Sequence, residues 1–224
     1  MQVISNINPE LKVILNEFSN WFFNSDYQTE LTPHEKKDDN LKGEYATSKT
    51  YLKEALQDPS KYGYPRHMLG AVMENNLKSK QLQSKTYREA CDSVDKKLIN
   101  YFGARNNALR AYYPPSGYIG WHHNANAPGY NIVITCNPDG DGEFEHYDKN
   151  TNLITRYPDK KGWFVKVGYF GSFEEPEKMY WHCARTRSPR LTLSYIVPHA
   201  DIWQSMIADI GIPDTTPQTT CSTL

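Results

Sequence analysis

Gly120-Trp121-His122-His123-Asn124 (GWHHN) is the stretch from which the fold is read, because it has the form of a strand with chemistry on one face. Side chains alternate across a strand, so His122 and Asn124 point one way while Trp121 and His123 point the other. A second Trp-His pair, Trp181-His182, follows sixty residues on, and Arg190 opens an apolar run soon after. Two histidines far apart in sequence, the first with an oxygen-bearing side chain two residues later, are the parts of one face of an Fe(II) site that leaves positions open. A single histidine is ordinarily a buried or surface imidazole with no metal. The repeated Trp-His context is what favours a shared site, with His182 supplied by a strand across the same core.

Around this stretch the period is that of strands. Ala108 to Tyr113, Tyr118 to His122, Asn131 to Cys136, Glu143 to Tyr147, Trp163 to Phe170 and Leu191 to Val197 are short, aromatic or β-branched, and separated by Pro, Gly, Asn and Asp. Evenly spaced short strands predict a sandwich or barrel. Upstream the period is helical. Asn8-Pro9 caps and starts a helix with Leu11, Ile14, Leu15, Phe18, Trp21 and Phe22 on one stripe. Thr86 and Glu89 read as a capping box, Tyr87, Ala90, Cys91, Val94, Leu98, Tyr101 and Phe102 line one face, and Gly103 closes the helix.

The polar stretch from Thr32 to Lys49 reads as a surface loop, Ser60 to Tyr64 as a break, and Pro213 to Leu224 as a loose tail. Helices first and strands after predict an α+β fold, an antiparallel core buttressed on one side by helices. We expect a single domain over 1–224, with helical and loop support over 1–103, the β core over 104–200, and a short C-terminal helix and tail over 201–224.

Composition narrows the function classes. With 25 basic and 26 acidic residues the net charge is -1, which gives no strong positive field for non-specific nucleic-acid binding. Cys91, Cys136, Cys183 and Cys221 form no CxxC pair and no disulfide framework, which fits a reducing compartment. The segment MQVISNINPELK lacks the pattern of a secretion signal, and no window of eighteen residues is apolar throughout, so a soluble cytoplasmic protein with no membrane partner is expected. Dinucleotide, P-loop and Gly-x-Ser-x-Gly motifs do not occur.

From about Asn107 to Val197 the chain resembles the Fe(II)- and 2-oxoglutarate-dependent dioxygenases, the double-stranded β-helix superfamily of the prolyl hydroxylases and AlkB-like demethylases. In that family His-x-Asp and a distant His bind iron. An Arg about eight to ten residues after the distal His, often in Arg-x-Ser, holds the distal carboxylate of 2-oxoglutarate. The matching positions here are His122, Asn124, His182, and Arg190 with Thr192. Cys136-Asn137-Pro138-Asp139-Gly140-Asp141-Gly142-Glu143-Phe144 is similar to the turn-and-strand segment of prolyl-hydroxylase-like members, and Tyr113 stands where many members place a cosubstrate contact.

The resemblance implies a double-stranded β-helix (jelly-roll, cupin-like) fold buttressed by N-terminal helices. It implies His122, Asn124 and His182 as the metal and catalytic set, and Arg190, Thr192 and Tyr113 as cosubstrate contacts. Fe(II), 2-oxoglutarate and O2, with ascorbate as an optional reductant, would serve hydroxylation of a C–H bond. Protein or peptide side chains are slightly favoured as substrate by analogy alone, with small molecules or a nucleic-acid base left open. The chemistry agrees: a guanidinium fork matches a carboxylate bidentately, and Arg190 and Thr192 share a strand face.

Asn124 departs from the pattern, since a neutral carbonyl oxygen binds a dication more weakly than a carboxylate. Three explanations compete. Asn124 ligates in a working enzyme; or Glu143, Glu145 or Asp141 replaces the carboxylate; or the chain is a non-catalytic binding protein. A halogenase, in which chloride replaces the acid, would need Ala or Gly to make room. His146 is a secondary candidate ligand, while His34, His67 and His199 read as loop residues without a metal partner.

Overall fold

The strand-like sequence after Gly103 folds into two antiparallel six-stranded sheets that face one another across a shared interior; the computed structural model describes residues 1–31, 43–73, 85–214 and 220–224. The first sheet takes β1 (Gln2–Ile4), β4 (Ala71–Val72), β5 (Asn106–Tyr113), β7 (Gly129–Asn137), β10 (Gly162–Phe170) and β12 (Arg190–Val197), in the order β1-β10-β7-β12-β5-β4. The second takes β3 (Met68–Leu69), β6 (Tyr118–His122), β8 (Gly142–Asp148), β9 (Leu153–Pro158), β11 (Trp181–Thr186) and β14 (Thr220–Thr223), in the order β14-β9-β8-β11-β6-β3. A small ribbon joins β2 (Asn6–Ile7) to β13 (Gly211–Ile212). From β5 to β12 the chain passes repeatedly between the sheets, the order of a jelly roll.

Helices α1 (Pro9–Phe23), α2 (Tyr27–Glu30), α3 (Gly43–Ala46), α4 (Lys49–Gln57), α5 (Lys85–Phe102) and α6 (Trp203–Ile210) cover the sheets. Asn8 caps α1 by accepting the Glu10 N–H at 2.9 Å, with Pro9 opening the first turn. Leu11, Leu15, Phe18 and Phe22 from α1, with Val94, Leu98 and Phe102 from α5, bury against Ile132, Ile134, Val165, Leu191 and Leu193 on the outer face of the first sheet. The expectation of helices on one side alone is corrected: Tyr51, Leu52 and Ala55 of α4 cover Trp121, Tyr147 and Trp181 on the outer face of the second. Those outward aromatics require a cover of their own.

Other expectations change for similar reasons. The 1–103 segment is not only helices and loops, because β1, β3 and β4 extend the sheet edges, where short strands satisfy otherwise open backbone groups. Of the polar stretch read as a loop, 43–46 and Lys49 onward are helical and 32–42 lie outside the described residues. In the expected loose tail, Thr220–Thr223 pairs with β9, an edge strand that sequence reading passed over. Thr86 lies inside α5, which already includes Lys85, so it does not precede the helix as a cap. No helix among the described residues is long and apolar enough to cross a membrane.

Polar staples join α5 to the first sheet. Asp95 accepts from Arg110 Nη1 and Tyr195 Oη, each at 2.7 Å, and from Asn107 Nδ2 at 3.0 Å. Removing one partner of a mostly buried charge pair strands the other, so Asp95→Ala should lower unfolding free energy by roughly 3 kcal/mol. Lys97→Ala should cost less than about 1 kcal/mol, since the Lys97–Glu17 pair at 2.6 Å is exposed on both sides. Equal losses in the two variants, measured by urea denaturation, would show that the buried network is not what fixes α5.

Candidate functional site

The pairing of β6 with β11 decides which side chains face the interior. His182 lies opposite His122, yet Ala184 lies opposite Ile119, so β6 carries one extra residue between these two pairs. Such a bulge re-aims side chains. Ile119 and His122 both face the interior, while Trp121 turns outward to the α4 layer. Gly120 sits in the bulge: its N–H donates to the His67 carbonyl at 2.8 Å, and an added Cβ would stand 3.1 Å from the Ala46 carbonyl oxygen.

The two imidazoles meet. Their ring centroids are 4.1 Å apart and both residues are buried. His122 Nδ1 lies 2.8 Å from the Gly120 carbonyl and His182 Nδ1 lies 2.8 Å from the Tyr180 carbonyl. A carbonyl only accepts, so each neutral ring carries its proton on Nδ1, which makes Nε2 the nitrogen with the lone pair. That tautomer is the one metal-bound histidines use.

The third position differs from a simple alternating strand. β6 ends at His122, so Asn124 lies in the following turn, half-buried, its backbone carbonyl accepting from Ala127 N–H at 2.8 Å. The suggested substitute acids point elsewhere. Glu143 pairs with Arg156 and Arg185, Glu145 with Arg156 and Asp141 with Arg187, and on β8 the first two alternate with the inward Phe144 and His146. That explanation of the missing carboxylate is therefore corrected. Among the described residues no three His, Cys, Asp or Glu side chains converge at metal-ligand spacing.

His146 shares the row of His122 and His182, paired across β8 and β11, but its ring lies flat on Tyr180 at 3.7 Å. His123 faces the other way, edge-on to Trp181 at 4.7 Å, with Gly63 N–H 3.1 Å from its Nε2.

A charged cluster occupies the same interior. Arg190 donates from Nε to Asp159 at 2.8 Å, from Nη1 to Thr192 Oγ1 at 2.9 Å and from Nη2 to Thr135 Oγ1 at 3.5 Å. Tyr113, opposite Arg190 in register, presents its ring 5.8 Å from the guanidinium carbon, and burial pushes its phenol up to about 12. Asn137, from the turn-and-strand motif, donates to Asp159 at 3.1 Å and accepts from Ser188 Oγ at 2.7 Å. Sequence reading missed Asp159, Thr135 and Lys166, which has no exposure. The signal for Lys166 was present: in Trp163-Phe164-Val165-Lys166-Val167 a lone charge falls at an alternate position of an apolar strand.

Phe144 connects the two groups, stacked on His182 at 5.4 Å and lying 5.2 Å from the Lys166 ammonium. No family model and no curated relative matches the chain. Among solved structures it is similar to the crystal structure of a Pseudomonas putida prolyl-4-hydroxylase, at 12% sequence identity and a TM-score of 0.38, over 88% of this chain and 91% of that one.

Burial holds the imidazoles neutral: it brings His182 down to about 4 and His146 to about 3, and together with His182 it places His122 well below the usual histidine range. Each folded value lies below the unfolded one, so the unfolded chain binds more protons between them. Stability should therefore fall as pH drops from about 6.5 towards 4, before most carboxylates titrate. Unfolding free energies that stay level from pH 7 to 5 would contradict buried neutral imidazoles.

Proposed function

We propose that the chain is an Fe(II)- and 2-oxoglutarate-dependent oxygenase that hydroxylates a C–H bond, with a protein or peptide side chain as the favoured substrate. The observation that carries this reading is the pair of neutral imidazoles whose ring centroids lie 4.1 Å apart, one phenyl ring away from buried cations. The jelly-roll strand order supports reading the two sheets as a double-stranded β-helix.

On this reading His122 and His182 hold the metal and Asn124 offers its carbonyl oxygen in the third place. Two imidazoles fit such a group; the amide makes the fit weaker than a carboxylate would. Bound Fe(II) would supply the redox chemistry by which O2 and 2-oxoglutarate yield succinate, CO2 and a hydroxylated product. The chain's own residues bind and orient. Gly120 and Tyr180 carbonyls fix the imidazole tautomers, Arg190 and Thr192 face the distal carboxylate, and Phe144, Phe170 and Tyr180 exclude water.

The second reading is a non-catalytic binding protein, favoured by one fact, the amide where a carboxylate would hold iron. Mn(II) binding separates the cases. His122→Ala with His182→Ala should abolish stoichiometric Mn(II) binding seen by electron paramagnetic resonance, and full occupancy in that double variant would remove both from the site. Asn124→Asp should tighten Mn(II) by roughly tenfold, about 1.4 kcal/mol, because a negative charge next to a dication gains more than it loses in a partly buried site. An unchanged affinity would take Asn124 out of the metal's reach. Tight metal binding in both forms without any turnover of 2-oxoglutarate to succinate would leave the binding-protein reading.

A further inference from the structure

The interior that holds the imidazoles is closed, and one aromatic side chain closes it. His122 and His182 are both buried, so whatever reaches them must first displace something. Tyr180 stands in the way. Its ring lies parallel to that of His146 at 3.7 Å, with 1° between the planes, and parallel to that of Phe170 at 4.5 Å, with 6°. Two rings so close and so parallel to a third cannot share one of its faces without overlapping, so Tyr180 is sandwiched between them. His146 is the half-buried outer layer, and Phe170 lies 5.2 Å from His182 on the inner side.

The outer and inner layers belong to strands. His146 is paired on both sides, with His182 and Thr155, and Phe170 lies opposite Gly129. Tyr180 belongs to neither ladder, because it ends the loop 171–180 that joins β10 to β11. That loop is closed on itself and on the end of β10. Gly171 N–H donates to the Lys178 carbonyl at 2.9 Å, Lys178 N–H to the Glu175 carbonyl at 2.8 Å, and Tyr169 Oη to the Glu175 carboxylate at 2.6 Å. Its neck is tight, since a Cβ added at Gly171 would stand 2.5 Å from that of Lys178. A compact lobe of this kind moves about its neck at lower cost than a strand leaves its ladder.

Two features of the same residue tie the lobe to the site. Tyr180 is 7% exposed, and among the described residues its hydroxyl finds no hydrogen-bond partner, whereas water would satisfy it once the ring emerged. Stacking holds the ring in and the dry hydroxyl draws it out. The Tyr180 carbonyl meanwhile holds His182 Nδ1 at 2.8 Å, so a movement of residue 180 is felt at the imidazole.

We propose that Tyr180 is a gate. In the closed state its ring plugs the interior between His146 and Phe170; in the open state it withdraws with the loop and uncovers His122 and His182. Its hydroxyl sets the balance between the two. The gate goes beyond the proposed function, because it acts on whatever approaches the imidazoles.

The test is the rate at which diethyl pyrocarbonate, which acylates neutral imidazoles, modifies His122 and His182 in the full chain at pH 7 with EDTA, located by tandem mass spectrometry. Maleimide labelling of Cys136 is read alongside, since that thiol is buried in the cluster under α1 and α5 and reports unfolding of the whole molecule. Tyr180→Ala should speed both histidines at least tenfold and leave Cys136 at the parent rate. Tyr180→Phe keeps the stack and removes the hydroxyl, so it should slow both histidines at least threefold. If Tyr180→Ala leaves the histidines at the parent rate, or speeds Cys136 as much as the histidines, the ring is ordinary packing and the gate is overturned. Should the Ala variant fail to fold, Tyr180→Phe decides alone: slower histidines uphold the gate. Histidine rates in Tyr180→Phe no slower than the parent's overturn it whatever the Ala variant does.

Discussion

The irregular register between β6 and β11 sets what the interior contains. Strand side chains repeat with a period of two, so without the extra residue Ile119 and Trp121 would both face inward and His122 would look out at α4. An indole would then fill the space where two imidazoles meet. The bulge needs Gly120, because Ala46 and the His67 carbonyl press against the position a Cβ would take. It also leaves the Gly120 carbonyl within reach of His122 Nδ1. One backbone irregularity thereby selects the face, seats α3 against the strand and fixes a tautomer.

The sheets divide their labour by face. Outward side chains form two apolar clusters covered by helices, with the Glu143, Glu145, Arg156 and Arg185 ion pairs on the outer face of the second sheet. Inward ones include His122, His182, Thr135, Asn137, Asp159, Lys166, Arg190 and Thr192, all buried. Enclosing so many polar groups is costly, and stable folding has to come from the outer layers. Among the described residues Asp159 Oδ1 and the Tyr180 hydroxyl find no hydrogen-bond partner.

Much of this was legible in sequence, for identifiable reasons. Asn8-Pro9 announced α1 because capping is local, and Tyr118–His122 was readable because turn residues bound it. That His122 and His182 would meet was expected from their shared Trp-His context, and the common face of Arg190 and Thr192 from strand alternation. His182, however, lies on the neighbouring paired strand and not across the core, and the register of Tyr113 against Arg190 was not foreseen. What could not be read depends on tertiary context. β14 and the edge strands β1, β3 and β4 are too short to carry a period, and α4 is a helix whose apolar face has meaning only beside Trp121 and Trp181. Asp159 lies in a turn, Pro158-Asp159-Lys160-Lys161-Gly162, where an acid looks ordinary until Arg190 arrives from thirty-one residues away.

Charge ties the amide to the buried cations. On the proposed reading His122, His182 and Asn124 are all neutral, so these three residues bring a bound dication no compensating charge, and the enclosed interior screens little of what remains. On the same reading a dicarboxylate held by Arg190 would bring that missing negative charge to the imidazole end. Metal and anion would then stabilise each other more than in a site that owns a carboxylate. By linkage the factor is reciprocal: however much the anion tightens the metal, the metal tightens the anion by the same amount. On the proposed reading Asn124 is thus compatible with function, because it moves part of the metal's charge balance from the chain to the cosubstrate and makes occupancy of one conditional on the other.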